Sequence, residues 1–375
     1  MKKVLLITSY FPPRKGGISN FLFNIYKSNE DDCIVFTDLP DSNPKKNVIR
    51  DKFYSKKIWP RWLPLLYKTY KQIKKNNIQI LQAGQIIPIG TVCYLLNKLI
   101  GIKYQVYVYG NDLLISRDSI RKTKIIGKIL KNADKVIACS EYTKKLAIKN
   151  GAVEDKTLVV YPITMNLDVQ QLTDEEITHF KNNNNLDNKR IILTVGNLVE
   201  RKGQDMVIKS LAQMKQQLDD FIYIIIGSGP YKEELNRLIN KFKLNEKVKI
   251  IENVSNDELP YYYSSCDLFI MPSRYLRNKK NQPIDVEGFG IVFIEASLYE
   301  KPVIAGNTGG QMDAVMDHQS GYIVDAEDVN SISDKIELLL SDTELSKSIG
   351  KNGRIFVKNH FNWENEVNKI RQIIG

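Results

Sequence analysis

"RIILTVGNLVERKGQDMVIKSLAQM", residues 190–214, reads in succession as a buried strand, a glycine-bounded loop and an amphipathic helix. Its first segment is a nearly continuous apolar run, the signature of a parallel strand covered on both faces. Similar runs follow in "FIYIIIG", "KVKIIE", "DLFIMPS" and "KPVIAG", with a helical stretch at "YKEELNRLINKF". An equivalent series precedes it: "KVLLITS", "CIVFTD", "IQILQAG", "YQVYVYG", "DKVIACS" and "TLVVYP", with "TVCYLLNKLIG" and "SEYTKKLAIKNG" as helices between them. The acidic, asparagine-rich passage "LTDEEITHFKNNNNLDNK" separates the two series, so the polar joint covers residues 163–189. Two βα series imply an α/β chain of two Rossmann-like, doubly wound domains facing each other across a cleft. Residues 1–165 form the first and residues 166–357 the second.

Length agrees, since 375 residues exceed one ordinary core and suit two domains of roughly 150–200 residues. With 43% hydrophobic and 26% charged residues the chain has the composition of a soluble enzyme. The opening "MKKVLLITSYFPPRKGG" has too short an apolar run for a signal peptide and reads as a first strand. No stretch approaches the roughly 20 apolar residues of a membrane span. Cys33, Cys93, Cys139 and Cys266 are widely separated and match no metal or redox spacing, as expected of a reduced, cytoplasmic chain.

The charge is uneven. Residues 1–170 hold 29 Lys and Arg against 13 Asp and Glu, and the remainder 25 against 30. The densest part, "NPKKNVIRDKFYSKKIWPRW" with "YKTYKQIKK", sets Trp59 and Trp62 among lysines such as Lys56 and Lys57. Nucleic acid and a plain solvated face are alternatives, but indoles beside lysines favour an anionic membrane surface over nucleic acid.

In doubly wound sheets, ligands bind beyond the carboxyl ends of the strands. Three loops there are glycine-rich: "SYFPPRKGGISN" with Gly16 and Gly17, "VGNLVERKGQ", and "IGSGPYKEE". The last lacks the third glycine of a dinucleotide fingerprint, which argues against a hydride-transfer enzyme. No Walker lysine motif is present either.

"VEGFGIVFIEASLYEKPVIA", residues 286–305, places Glu287 and Glu295 around a helix start expected near Gly290 or Ile291. Backbone amides of Gly288, Phe289, Gly290 and Ile291 at the positive end of that helix suit a phosphate. Carboxylates accept from sugar hydroxyls, and Arg201 with Lys202 can supply fixed cations where no D-x-D exists to hold a metal. Taken singly, Glu295 is a first-turn helix carboxylate, Arg201–Lys202 a solvated pair, Gly16–Gly17 a tight turn and Asp112 a cap. Their joint placement after strands favours a ligand site. Gly309 and Gly310 read as a second helix-start loop beside it; Ser140 reads as a cap, and the three histidines as surface residues.

"EGFGIVFIEA" with "KPVIAGNTGG", "VGNLVERKG" and "FPPRKGG" resembles the family-4 retaining glycosyltransferases of GT-B fold over nearly the whole chain. "DVEGFGIVFIEA" after an inserted basic loop is most similar to mannosyltransferases that use GDP-mannose. The resemblance implies a catalytic set of Glu287, Arg201 and Lys202, with the two cations on the donor diphosphate. It puts Glu287 on the donor sugar, Glu295 on the ribose hydroxyls and Val254 at the base, with Gly16 and Gly17 closing from the first domain. It also implies that the last helix, about residues 358–375, packs back on the first domain. Three departures from the family pattern stand out. Asn197 replaces an arginine, Tyr109 replaces a histidine in "VYGNDL", and "VVYPITMN" replaces an asparagine-glycine turn at the joint. Tyr109, Asn111 and Asp112 are left as contacts for acceptor or donor sugar.

The expected function is hexose transfer, without cofactor or metal, from a nucleotide-sugar donor to a hydroxyl of a glycan, lipid-linked acceptor. The setting is the inner face of the cell membrane, in surface-polysaccharide synthesis. A GT-B-like nucleotide-sugar epimerase and a non-catalytic sugar-nucleotide binder are the alternatives.

Overall fold

A computed structural model describes residues 2–41, 43, 45–114, 119–163, 169, 171–214 and 220–375. The chain forms two compact units, Met1–Met165 with Asn362–Gly375, and Asn166–Phe361. The expected boundary at 165/166 and part of the departing "VVYPITMN" segment lie outside the described residues.

In the first unit, β1 (Val4–Ile7), β2 (Cys33–Thr37), β3 (Val48–Arg50), β4 (Ile80–Ala83), β5 (Lys103–Val108), β6 (Lys135–Ala138) and β7 (Thr157–Val159) pair in the order β3-β2-β1-β4-β5-β6-β7. Every pairing is parallel. The order reverses beside β1, which puts the loop Thr8–Gly16 at the switch point where such sheets take ligands. Helix Trp363–Ile374 completes this unit: Val367, Ile370 and Ile374 are buried, and Gln105 Nε2 donates to Ile373 O at 2.7 Å.

The second unit contains β8 (Arg190–Val195), β9 (Phe221–Ile226), β10 (Val248–Ile251), β11 (Leu268–Met271), β14 (Val303–Gly306) and β15 (Gly321–Val324), ordered β10-β9-β8-β11-β14-β15 and all parallel. Between β11 and β14 stands a two-stranded antiparallel hairpin, β12 (Leu276–Arg277) and β13 (Pro283–Asp285). Here the order reverses between β8 and β11. The loops after those two strands pack together so closely that a Cβ on Gly203, at φ +74, would lie 2.2 Å from Pro272 O. Only glycine fits there, and the contact brings "ERKG" against "MPSR". A core including Ile192, Tyr223, Ile225, Leu268 and Ile304 lies beneath.

Candidate active site

The helix expected to begin near Gly290 or Ile291 runs from Ile291 to Leu298, with Gly290 as its cap at φ +90. Gly288 and Phe289 form the loop that leads into it, and Phe289 is buried against Phe361, with ring centroids 5.7 Å apart. Glu287 precedes that loop and is only 8% exposed. Its Oε2 accepts from Lys202 Nζ at 2.5 Å, Arg201 Nη1 at 2.6 Å and Ser273 Oγ at 3.3 Å. Arg201 Nε also lies 3.3 Å from Asp285 Oδ2 on β13.

Two features go beyond the sequence reading. Arg201 and Lys202 share the Glu287 carboxylate, and Arg201 also faces Asp285. Asp285 and Ser273 belong to the site as well, yet neither carries a loop-and-glycine signal. Asp285 stands two residues before Glu287, so an extended chain turns both carboxylates to one side, and that spacing was the available clue.

Burial disfavours every charge here, and pairing decides the outcome. Burial alone would raise the Glu287 carboxyl, but the Arg201 and Lys202 charges hold it well below the usual range. Lys202 is pushed down by burial against the opposing pull of Glu287, while Arg201 is raised by Glu287 and Asp285 despite its burial. The backbone around Glu287 is fixed too. Gly310 N donates to Glu287 O at 2.9 Å, and a Cβ on Gly309, at φ +70, would meet that oxygen at 2.5 Å. Buried Gln311 ties the loops after β11 and β14 together, accepting from Gly306 N at 3.2 Å and donating to Ser273 O at 2.7 Å.

Glu295 lies in the helix Ile291–Leu298 and accepts from Tyr263 Oη at 2.7 Å. Tyr263 stacks on Tyr299 at 5.5 Å, so its hydroxyl is held in place. Burial raises the Glu295 carboxyl, and the Tyr263 hydrogen bond opposes that rise. Val254 is half-buried in the loop after β10, two residues beyond Glu252, which is ion-paired with Lys232.

In the first unit, Gly16 caps helix Gly17–Lys27, and a Cβ there would meet nothing within 4 Å. Tyr109, Asn111 and Asp112 sit at the end of β5. Asp112 Oδ1 accepts from Tyr109 N at 3.0 Å, while Tyr109 Oη, Asn111 Oδ1 and Asp112 Oδ2 are buried without hydrogen-bond partners. Burial raises Asp112 to about 6 against several backbone amides. Ser140 is a helix cap, accepting from Thr143 N at 3.0 Å; the four cysteines are buried, and the three histidines are exposed.

Comparison with known proteins fits this geometry. Residues 175–356 match the model for glycosyl transferases group 1, and residues 16–163 that for glycosyltransferase family 4. The chain is 26% identical over 386 residues to a GDP-mannose-dependent alpha-(1-6)-phosphatidylinositol monomannoside mannosyltransferase of Mycolicibacterium smegmatis, covering 99% of this chain and 98% of that one. It is 30% identical over 241 residues to the capsular polysaccharide biosynthesis glycosyltransferase CapM of Staphylococcus aureus, covering 62% and 60%. Among solved structures, Anabaena HepE in complex with UDP and glucose superposes with a TM-score of 0.83 at 20% identity, over 99% of each chain, which gives the GT-B fold. Both halves thus match glycosyltransferase models, and the chain is an enzyme that belongs to the family-4 glycosyltransferases.

Proposed function

We propose that this enzyme transfers a hexose, with retention and without a metal, from a nucleoside diphosphate sugar to a hydroxyl of a lipid-linked glycan. The observation that carries the reading is the convergence of Arg201 and Lys202 on Glu287 at the β8/β11 switch point, beside a helix start. A diphosphate entering there takes over part of the cations' charge. Glu287 is then free to accept from donor-sugar hydroxyls, and Glu295 accepts from the ribose diol. As the glycosidic bond breaks, negative charge grows on the departing phosphate oxygen, where preorganised cations act most strongly. The acceptor oxygen bonds the anomeric carbon on the same face of the sugar, and its proton passes to that departing phosphate oxygen.

The named activity of the M. smegmatis relative supports GDP-mannose and a lipid acceptor, and the name of CapM supports surface-polysaccharide synthesis. The UDP complex of HepE keeps a UDP-sugar as the second donor class. Among the described residues no helix is long and apolar enough to cross a membrane. We place the enzyme peripherally, on the inner face of the cell membrane, through its basic first unit.

Incubation with labelled UDP- and GDP-sugars in the presence of EDTA tests this. Slow release of free sugar from one donor is expected, abolished in Lys202→Ala. Interconversion of sugars would make it an epimerase, and binding without turnover a sensor.

A further inference from the structure

The four charges that meet beside the helix start cancel one another. Arg201 and Lys202 are positive; Glu287 lies 2.6 Å from the first and 2.5 Å from the second, and Asp285 lies 3.3 Å from Arg201. Arg274, the next cation, is already taken by Asp205 at 2.9 Å and Glu200 at 3.6 Å. A nucleoside diphosphate, itself a multiply charged anion, therefore meets a neutral cluster. To bind there it has to displace a carboxylate.

The two carboxylates are held very differently. Glu287 Oε2 accepts hydrogen bonds from both cations, and its backbone oxygen is fixed by Gly310 N. Asp285 Oδ2 stands near Arg201 Nε, yet that buried Nε–H finds no aligned hydrogen-bond partner among the described residues. Asp285 thus draws on the guanidinium by charge alone, while its Oδ1 accepts from the neighbouring Val286 N at 2.8 Å. Its side chain is 25% exposed, against 11% for Glu287. It also ends β13, in a hairpin of two- and three-residue strands outside the main sheet. Such a hairpin is only marginally stable by itself and yields readily. A phosphate oxygen in line with Nε would satisfy the donor that Asp285 leaves unsatisfied. We propose that Asp285 is a placeholder for the donor diphosphate: it holds Arg201 in position by charge and surrenders the Nε–H to a phosphate oxygen as nucleotide enters. Asp285 is a positioning residue, acting through Arg201, and it sets how tightly the site takes a diphosphate. The inference rests on the transferase reading above and adds the anion that the donor displaces.

Calorimetry on the full chain with GDP, UDP and inorganic pyrophosphate reads the effect without turnover. Asp285→Asn and Asp285→Ser both remove the competing charge, the first with little change of shape. Each should bind the nucleotide that wild type binds roughly tenfold more tightly, a modest share of what a unit charge is worth at this range. Their thermal midpoints without ligand should stay close to wild type. A residue that only held the loop together would act in the opposite direction, loosening nucleotide on removal. Where a donor is turned over, its KM should fall in both variants. Equal or weaker binding in the folded variants overturns the placeholder, and donor turnover by wild type would then leave the transferase reading intact. Pyrophosphate bound more tightly by the variants, with no nucleotide bound by any of the three proteins, would keep the placeholder and sink the transferase reading. No binding of any probe by wild type or variants overturns both.

Discussion

Glu287 Oε2 accepts from both Lys202 Nζ, at 2.5 Å, and Arg201 Nη1, at 2.6 Å, so the acidic loop before Ile291 and the basic loop after β8 are one electrostatic unit. Burial works against the Glu287 carboxylate and the two cations outweigh it, leaving the folded pKa below the ordinary 4.5. A depressed acid stabilises the fold fully above its unfolded pKa, and that contribution fades as pH falls through the folded one. Urea unfolding from about pH 6 down to about pH 3 should therefore show wild type losing stability as pH drops, with a flatter profile in Glu287→Gln. Glu287→Ala leaves Lys202 without its partner and should cost about 3–5 kcal/mol, together with nearly all turnover. A profile as steep in Glu287→Gln as in wild type would show that other carboxyls dominate.

How far residues announced this site depended on what each does. The strands β8, β9 and β11 are continuous apolar runs ending in glycine or proline, so burial on both faces wrote them plainly into the chain. Arg201 and Lys202 were legible because they lie in the loop directly after β8, and Glu287 and Glu295 because they flank the glycine-bracketed start of helix Ile291–Leu298. Val48–Arg50 was hidden: an edge strand of three half-buried residues inside a basic stretch carries no alternation to detect. The hairpin Leu276–Asp285 was hidden for a related reason, since its strands are only two and three residues long and lie outside the main sheets. Gln311 and Ser273 act through partners far away in sequence, and no local pattern encodes a hydrogen bond that only the packed loops create.

Tyr263 should set the affinity for nucleotide through Glu295. Its hydroxyl opposes the rise that burial imposes on the Glu295 carboxyl, so Tyr263→Phe should lift that pKa further. If the ionised carboxylate is what grips the ribose, nucleotide affinity falls as pH drops through this pKa, and the fall starts at a higher pH in the variant. Loss of one hydrogen bond, about 1 kcal/mol, predicts a roughly fivefold weaker Kd. Calorimetry with GDP and UDP across pH measures both effects, and identical profiles would remove Glu295 from the ribose.

Arg274 holds the cationic loop from the other side. Its guanidinium donates to both oxygens of Asp205, at 2.9 and 3.2 Å, and its backbone N donates to Arg201 O at 2.8 Å. Both side chains are buried. Removing one partner strands the other, so Arg274→Ala should cost about 3–5 kcal/mol in urea unfolding. Lysine cannot reproduce the two-pronged geometry, so Arg274→Lys should also lose stability and turnover. The double change Arg274→Met, Asp205→Leu separates the roles: it should regain much of the stability and little of the activity. Full activity in a stable double variant would show that the pair does not position Arg201.

The basic first unit gives the membrane proposal its test. Trp59 is 89% exposed, and Tyr67 and Tyr70 project from helix Leu63–Asn76 with Lys71 and Lys74 over their rings at 4.7 and 5.8 Å. Aromatic rings and lysines displayed together match a headgroup layer, where each cation near an anionic surface is worth about 1 kcal/mol. Trp62, which the sequence sets among the same lysines, is half-buried just before the helix. Its replacement would disturb packing, which makes Trp59→Ala with Lys56→Ser and Lys57→Ser the cleaner variant. Sedimentation with phosphatidylserine-containing vesicles should capture wild type, release it as salt rises, and capture the triple variant at least about thirtyfold less well, given its two lost charges and one lost indole. Equal capture on phosphatidylcholine vesicles, or an undiminished triple variant, would assign the lysines to solvent and leave the acceptor to come to the enzyme by another face.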